Sequence, residues 1–224
     1  MCVLKNDLPG LNYSFRNPQR LQLALTHRSH GPINNERLEF LGDAIVGMVV
    51  AEILFNLHPD LPEGALTRLR AGVVRGETLA DIAIGLDLSS YVRIGNAEKK
   101  SGTSRRRSIL ADTLEAVFAA VYLDGGYQEA VKVITELTRE TIANLPDPEE
   151  LKDPKTRLQE WLQARGREVP EYKIVSETGA DHAKEFVVKC RLVDDPVSFS
   201  ASGSSRRKAQ QAAAVLMLDR LLNI

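Results

Sequence analysis

Apolar residues in the first two thirds of the chain recur with the 3.6-residue period of an α-helix. Short polar or glycine-containing stretches such as His58-Pro59 and Asp124-Gly125-Gly126 separate the periodic segments. No alternating pattern typical of a β-strand interrupts them. The pattern therefore predicts an all-α region with helices at residues 18–24, 35–55, 64–85, 108–122 and 128–145.

The last third follows a different pattern. Residues 155–165 have a helical stripe in which Trp161 is assigned to the core, and three runs rich in β-branched and aromatic residues follow at 170–177, 184–192 and 196–202. An alanine-rich helix is predicted at 204–222. Its sheet-facing side is expected to comprise Ala209, Ala212, Ala213, Leu216 and Leu221. The predicted order is α-β-β-β-α, an α+β domain.

A proline-rich segment at residues 144–154 separates the two patterns and predicts an extended connector. We expect domains at 1–145 and 154–224, joined by a linker at 146–153. The chain carries 17 basic and 21 acidic residues up to position 153, and 12 basic and 9 acidic residues after it. The first part is therefore acidic and the second is basic, which suits a direct approach to phosphate by the second part.

Composition limits the class of protein. The chain has 224 residues and 43% hydrophobic content, which is sufficient for two compact cores. Its two cysteines, Cys2 and Cys190, suggest neither a disulfide framework nor a zinc site. Because no apolar run is long enough to span a bilayer and the start lacks a signal-peptide core, we expect a soluble cytoplasmic protein without membrane contact.

Three carboxylates lie on one face of the second predicted helix. Glu36, Glu39 and Asp43 share an arc of about 60°, and Asp43 occupies the position four residues after Glu39 where an ordinary solvated face would place a cation. Exposed acidic faces usually hold no metal, but a cation would relieve this repulsion. The opposite side is aliphatic, with Leu38, Leu41, Ile45, Met48 and Val49.

A second helix repeats this arrangement with Asp112 and Glu115, which are three residues apart. If the two helices are adjacent, four or five carboxylates converge and their pKa values rise unless a cation binds. All-oxygen ligands favour Mg²⁺, with Mn²⁺ as a substitute. The chain has no glycine-rich phosphate loop or nucleophile pattern, and no organic cofactor is expected.

These acidic segments resemble the ribonuclease III family of double-stranded-RNA endonucleases. Residues 36–44 resemble its signature motif, 111–116 its second acidic motif, and 61–71 its intervening acidic position and helix. The resemblance implies cleavage of RNA duplexes to 5′-phosphate and 3′-hydroxyl ends, with precursor ribosomal RNA and structured messenger RNA as substrates. It also implies roles for six acids: Glu39, Asp112 and Glu115 as metal ligands, Asp43 as a second essential catalytic acid beside Glu115, and Glu36 and Glu63 as outer positions for substrate or a second metal.

The α-β-β-β-α segment resembles a double-stranded-RNA-binding domain. Such a module must contact two minor grooves of A-form RNA and the phosphates between them, and a cationic helix N-terminus suits the bridging role. The chain departs from many relatives at Gln210, where they have a further lysine. By resemblance, the RNA-contacting residues are Thr156, Gln159, His182, Ser205, Arg206, Arg207 and Lys208.

A homodimer would supply the second set of acids needed to cut both strands. Phe40 resembles the aromatic residue that enters a partner's pocket in this family, and the alternative is core packing within its own chain. Arg105, Arg106 and Arg107 either contact phosphate or form a charged loop. Two other functions stay open at this point: a non-cleaving RNA-binding regulator with the nuclease fold, and a phosphohydrolase acting on small phosphates.

Overall fold

A computed structural model describes residues 7–95, 103–179 and 184–222, with side chains described from residue 106 onward in the second range. The chain divides into two compact units, Met1–Pro148 and Glu149–Ile224. Among the described residues, none of the helices combines the length and the apolar character needed to cross a membrane.

The described part of the first unit is helical. A three-residue 3₁₀ turn, Leu88–Ser90, follows the fourth helix. The six helices are α1 (Pro18–Ala24), α2 (Glu36–Leu57), α3 (Glu63–Val74), α4 (Gly76–Gly85), α5 (Thr103–Gly125) and α6 (Tyr127–Ala143).

Helix α5 forms the centre of this unit, and α1, α2, α4 and α6 pack around it. A continuous run from residue 116 to 121 is fully buried on all sides of α5, because the helix is surrounded and every position must be small or apolar. The buried residues of α2 include Ile45, Val49 and Leu54. Met48, which was predicted on the same aliphatic side of α2, is 51% exposed.

One predicted helix is in fact two. The backbone is extended at Arg75, which separates α3 from α4 inside the segment 64–85. The hydroxyl of Thr78 donates to the carbonyl of Gly72 at 2.9 Å, which satisfies a carbonyl that the broken helix leaves unpaired. Helical periodicity continues across the break, so the apolar pattern alone could not reveal it.

The second unit has the predicted order of helix, three strands and helix. The strands form one antiparallel sheet in the order β1-β2-β3. Alternate residues of β2, from Phe186 to Leu192, point toward the two helices and are buried. The elements are α7 (Pro154–Gln163), β1 (Glu171–Thr178), β2 (Glu185–Leu192), β3 (Asp195–Gly203) and α8 (Arg206–Leu222).

Two details of the second unit differ from the prediction. Leu216 is 41% exposed, and Met217 and Leu218 are buried in its place, because the sheet-facing stripe of α8 runs through Ala213 and Met217. The connector at 144–154 is not extended throughout. Residues 148–151 form a turn, and the Lys152 amide donates to the Glu149 carbonyl at 3.3 Å.

Candidate metal centre and nucleic-acid interface

The candidate metal centre lies where α2 crosses α5, and Gly42 sets the distance between the two helices. A Cβ atom built on Gly42 would lie 1.8 Å from the carbonyl oxygen of Glu115. Only a hydrogen therefore fits between the two backbones. This close approach places Glu39 and Asp43, which flank Gly42 on α2, beside Asp112 and Glu115 on α5.

Three of the predicted acids converge at this crossing. One carboxylate oxygen from each of Glu39, Asp112 and Glu115 can be chosen so that all three lie within 4.8 Å of one another. Adjacent oxygens around an octahedral Mg²⁺ are about 3 Å apart and opposite ones about 4 Å apart, since each lies about 2 Å from the ion. The three acids are therefore close enough to hold one divalent cation after side-chain adjustments of about 1–2 Å.

The electrostatics of the cluster agree with this fit. Burial, and then the charges of Asp43, Asp112 and Glu39, raise the pKa of Glu115 to about 8. Burial and the neighbouring charges of Asp112 and Glu36 raise the pKa of Glu39. Burial also raises the pKa of Asp112, against a hydrogen bond from Ser108. The positive charge of a cation would offset these increases and allow all three groups to ionise.

The other three predicted acids lie around the cluster or away from it. Asp43 is exposed, and its charge is the largest coulombic contribution to the raised pKa of Glu115 after burial. Glu36 lies one turn before Glu39 and pairs with Arg28 at 3.3 Å. Glu63 begins α3 and accepts a hydrogen bond from Thr67 at 2.8 Å. The structure does not bring Glu63 into the three-acid cluster of its own chain.

Several residues that shape this site were not predicted. Gly42 was part of the recognised motif, but a glycine within a helix gives no direct signal of a helix crossing. Glycine in a helix interior is about 1 kcal/mol less stable than alanine, so its presence there indicates that the position needs a small residue for packing. His27 and Arg28 belong to a loop and reach the cluster from outside both helices, so no local spacing could identify them.

Phe40 is 82% exposed on α2, so the alternative that it packs in its own core was wrong. An apolar groove lies elsewhere in the same unit, between α2, α3 and the start of α6. Its rim is polar, with Glu52 accepting a hydrogen bond from the Tyr127 hydroxyl. The apolar lining comprises Met48, Ala51, Leu54, Phe55, Leu61 and Leu66.

In the second unit, the N-terminal ends of α7 and α8 lie side by side. Asp153 caps α7 through the Lys155 amide at 2.9 Å and also accepts from Gln211 on α8 at 2.8 Å. Lys155 donates to Gln210 at 2.7 Å, and its ammonium lies 4.8 Å from the centre of the Tyr172 ring. Gln210, which stands where many relatives have a lysine, therefore binds a lysine of the neighbouring helix α7.

This arrangement places Thr156 in the first turn of α7 beside the predicted RNA-contacting residues at the start of α8, while Gln159 lies in the middle of α7. Thr156 and Gln159 are exposed on α7. The Ser205 hydroxyl accepts from the Lys208 amide at 3.2 Å and so caps the start of α8. Arg206 pairs with Glu177 at 3.1 Å, and Arg207 pairs with Asp153 at 3.5 Å. His182 lies outside the described residues.

The arginines before the second acidic motif do not behave alike. Arg107 pairs with Asp81 at 2.7 Å and donates to the Glu77 carbonyl at 3.0 Å, so it connects α5 to α4. Arg106 is exposed. The side chain of Arg105 lies outside the described part of the chain.

Comparison with known proteins gives consistent matches for both units. Residues 17–141 match the family described as Ribonuclease-III-like, and residues 154–221 match the double-stranded RNA binding motif. The chain is 52% identical over 211 residues to Ribonuclease 3 of Alkalilimnicola ehrlichii, which covers 94% of this chain and 92% of the relative. It is 50% identical over 205 residues to Ribonuclease 3 of Thiobacillus denitrificans, covering 92% and 91%.

A solved structure is also similar. The nuclease domain of ribonuclease III from Campylobacter jejuni superposes with a TM-score of 0.56 at 40% identity, covering 58% of this chain and 92% of that domain. The description of that structure concerns flexibility in a region involved in its dimer formation.

Proposed function

The chain belongs to the ribonuclease III family of double-stranded-RNA endonucleases, and from this premise we propose that it is a Mg²⁺-dependent homodimeric enzyme. The observation that carries the metal dependence is the convergence of Glu39, Asp112 and Glu115 with raised pKa values at the α2–α5 crossing. Mn²⁺ is proposed as a substitute, since both ions prefer oxygen ligands.

Phosphodiester hydrolysis requires an activated water and relief of negative charge on the phosphate and on the leaving oxygen. A divalent cation supplies these charges when bound. We propose that Glu39, Asp112 and Glu115 hold the cation, and that the Glu115 carboxylate is also essential for catalysis. Asp43 is proposed as the second catalytic carboxylate, which accepts a hydrogen bond from the attacking water. Glu36 and Glu63 are proposed as outer positions that serve the substrate or a second metal. The proposed products carry 5′-phosphate and 3′-hydroxyl ends.

The proposed domains are a catalytic domain at 1–145, a linker at 146–153 and a double-stranded-RNA-binding domain at 154–224. In the binding domain, Thr156, Gln159 and His182 are proposed to contact minor grooves. The adjacent N-terminus of α8 is proposed to contact the phosphates between them, because its side-chain charges add to the helix dipole. This second set comprises Ser205, Arg206, Arg207 and Lys208.

Dimerisation is supported by Phe40 and the apolar groove. A phenylalanine that is 82% exposed gains about 2 kcal/mol on burial, and the groove between α2 and α3 offers an apolar lining of suitable kind. In a two-fold dimer each chain would give one Phe40 and receive one. We expect Phe40→Asp to yield monomers in analytical ultracentrifugation, whereas Phe40→Leu should stay dimeric. A dimeric Phe40→Asp variant would contradict this role.

We further propose precursor ribosomal RNA and structured messenger RNA as substrates and the cytoplasm as the place of action. The function is tested by incubating the purified chain with an RNA duplex, a matched DNA duplex and single-stranded RNA, each with Mg²⁺ and with chelator. Metal-dependent fragments from the RNA duplex alone are the expected result. Binding of the duplex without fragments in Mg²⁺ would instead identify a non-cleaving RNA-binding regulator.

A further inference from the structure

Arg28 lies at the edge of the acidic cluster, on the loop between α1 and α2. Its guanidinium pairs with the Glu36 carboxylate at 3.3 Å through a single nitrogen, and the side chains remain 64% and 51% exposed. Burial raises the pKa values of Glu39 and Asp112, and the charge of Arg28 opposes that rise at both groups. The Arg28 side chain is therefore close to acids of both helices.

The loop that carries Arg28 is firmly anchored on both sides of it. The Thr26 hydroxyl donates to the Gln22 carbonyl at 2.7 Å, and the His27 amide donates to the Arg93 carbonyl at 3.0 Å. After Arg28, the Ser29 hydroxyl accepts from the Gly95 amide at 2.9 Å. The backbone at position 28 is thus fixed against residues 93–95, while the side chain alone can change partner.

The pair with Glu36 is weak enough to be exchanged. An exposed ion pair contributes at most about 1 kcal/mol, and this one uses one of the five N–H groups of the guanidinium. A planar guanidinium matches the oxygens of a phosphate, and charge-assisted bonds of this kind are stronger than a single exposed contact. An RNA phosphate that approaches the three acids would meet Arg28 beside them.

We propose that Arg28 binds a phosphate of the RNA strand being cleaved, next to the acidic cluster, and that Glu36 is a positioning residue that holds the guanidinium toward the cluster before RNA arrives. This inference rests on the proposed function, because it assigns the substrate group that this cation recognises. It assigns a role to a loop residue that belongs to none of the acidic motifs.

The first test compares Arg28→Gln with Arg139→Gln, which removes an equal charge from α6, where Arg139 pairs with Glu136. Single-turnover cleavage of an RNA duplex in Mg²⁺ should fall about ten- to hundredfold for Arg28→Gln, as for loss of one charge-assisted hydrogen bond. Arg139→Gln should cleave at the wild-type rate. For Arg28→Gln, the slope of log kcat/KM against log salt concentration should also become less steep by about one, as expected for one lost phosphate contact.

A second measurement separates phosphate binding from support of the carboxylates. Mn²⁺ binding to the protein without RNA, followed by electron paramagnetic resonance of the free ion, should be unchanged or tighter in Arg28→Gln, because a positive charge beside a cation site has been removed. Weaker Mn²⁺ binding in parallel with slower cleavage would overturn the proposal, since Arg28 would then act by maintaining the cluster.

The role of Glu36 is tested by a double-mutant cycle. If Glu36 acts by orienting Arg28, Glu36→Gln should slow cleavage in the wild type and have little further effect in the Arg28→Gln background. Multiplicative losses would overturn the positioning role.

Failure of this inference differs from failure of the proposed function. If the wild-type chain cleaves RNA duplexes but Arg28→Gln cleaves equally fast with an unchanged salt slope, the phosphate contact is refuted and the nuclease assignment stands. If the wild-type chain does not cleave at all, the proposed function itself fails.

Discussion

Replacing Gly42 with alanine tests whether the metal centre depends on the close approach of α2 and α5. The added methyl carbon would lie 1.8 Å from the Glu115 carbonyl oxygen and 2.4 Å from its carbonyl carbon. Real contacts of this kind are essentially never shorter than 3.0 Å. Because the obstacle is the backbone of a buried helix, the helices must separate by more than about an ångström.

Two effects of opposite sign decide the stability of this variant. Alanine in place of glycine within a helix stabilises by about 1 kcal/mol. Forcing extra volume into a packed interior typically costs about 1–3 kcal/mol. We expect a cost at the upper end of this range for Gly42→Ala, because the added methyl group meets backbone atoms rather than a flexible side chain. We therefore expect Gly42→Ala to lower the free energy of unfolding by about 1–2 kcal/mol. A displacement of about 1 Å in the acids should also slow cleavage about a hundredfold.

Gly47→Ala provides a matched control. Gly47 lies on the same helix, and a Cβ atom there would meet nothing within 4 Å. This variant should gain stability from helix propensity and cleave normally. Urea unfolding, single-turnover cleavage and Mn²⁺ binding should be measured for both variants. If Gly42→Ala matches the wild type in stability and rate, the close approach does not control the geometry of the acids.

Three further predictions concern titratable groups. Glu115→Gln should abolish cleavage and leave duplex binding in gel-shift assays unchanged, because it alters neither the proposed RNA-contacting residues of the second unit nor Arg28. With the pKa of Glu115 at about 8, protons compete with the metal, so the Mg²⁺ concentration for half-maximal cleavage should rise as pH falls below 8 and be constant above it. Hydrogen bonds from Arg16, Tyr13 and Asn17 lower the pKa of Asp124 and outweigh the effect of its burial. The ionised carboxylate therefore stabilises the fold at pH values above its ordinary pKa of 3.8. Asp124→Asn should therefore lower the free energy of unfolding by about 2 kcal/mol at pH 7, and the difference from wild type should shrink as pH falls below about 4.

The sequence predicted features that depend on local spacing. Glu39 and Asp43 on one helix, and Asp112 and Glu115 on another, could be assigned to a face because helical geometry fixes the angle between neighbours. The three strands of the second unit were predicted from local composition as well, since each is a short run rich in β-branched and aromatic residues, as in Phe186, Val187 and Val188 of β2. The break at Arg75 was missed because α3 and α4 share one apolar period on either side of it.

Features that depend on distances between segments could not be predicted in this way. Arg28 and Glu36 are only eight residues apart, but their pairing depends on how the loop at 26–29 is tied to residues 93–95. The exposure of Phe40 likewise depends on which side of α2 the rest of the chain covers. Both neighbours of Phe40 in sequence, Glu39 and Leu41, are partly buried, so composition around it gave no indication.

The acidic cluster shows why a local pattern and a long-range contact must act together. Moving α5 away from α2 would relieve the repulsion between Glu39, Asp112 and Glu115, so the charges alone favour separated helices. The opposing contribution comes from the buried apolar side chains of α5, and Gly42 lets that packing close to backbone contact. Packing therefore holds the acids together before any cation binds, and a cation that enters gains affinity from repulsion already present in the folded chain. It follows that metal should stabilise the wild-type chain against unfolding more than Glu115→Gln, because the neutral side chain removes both a ligand and part of the repulsion that the metal relieves.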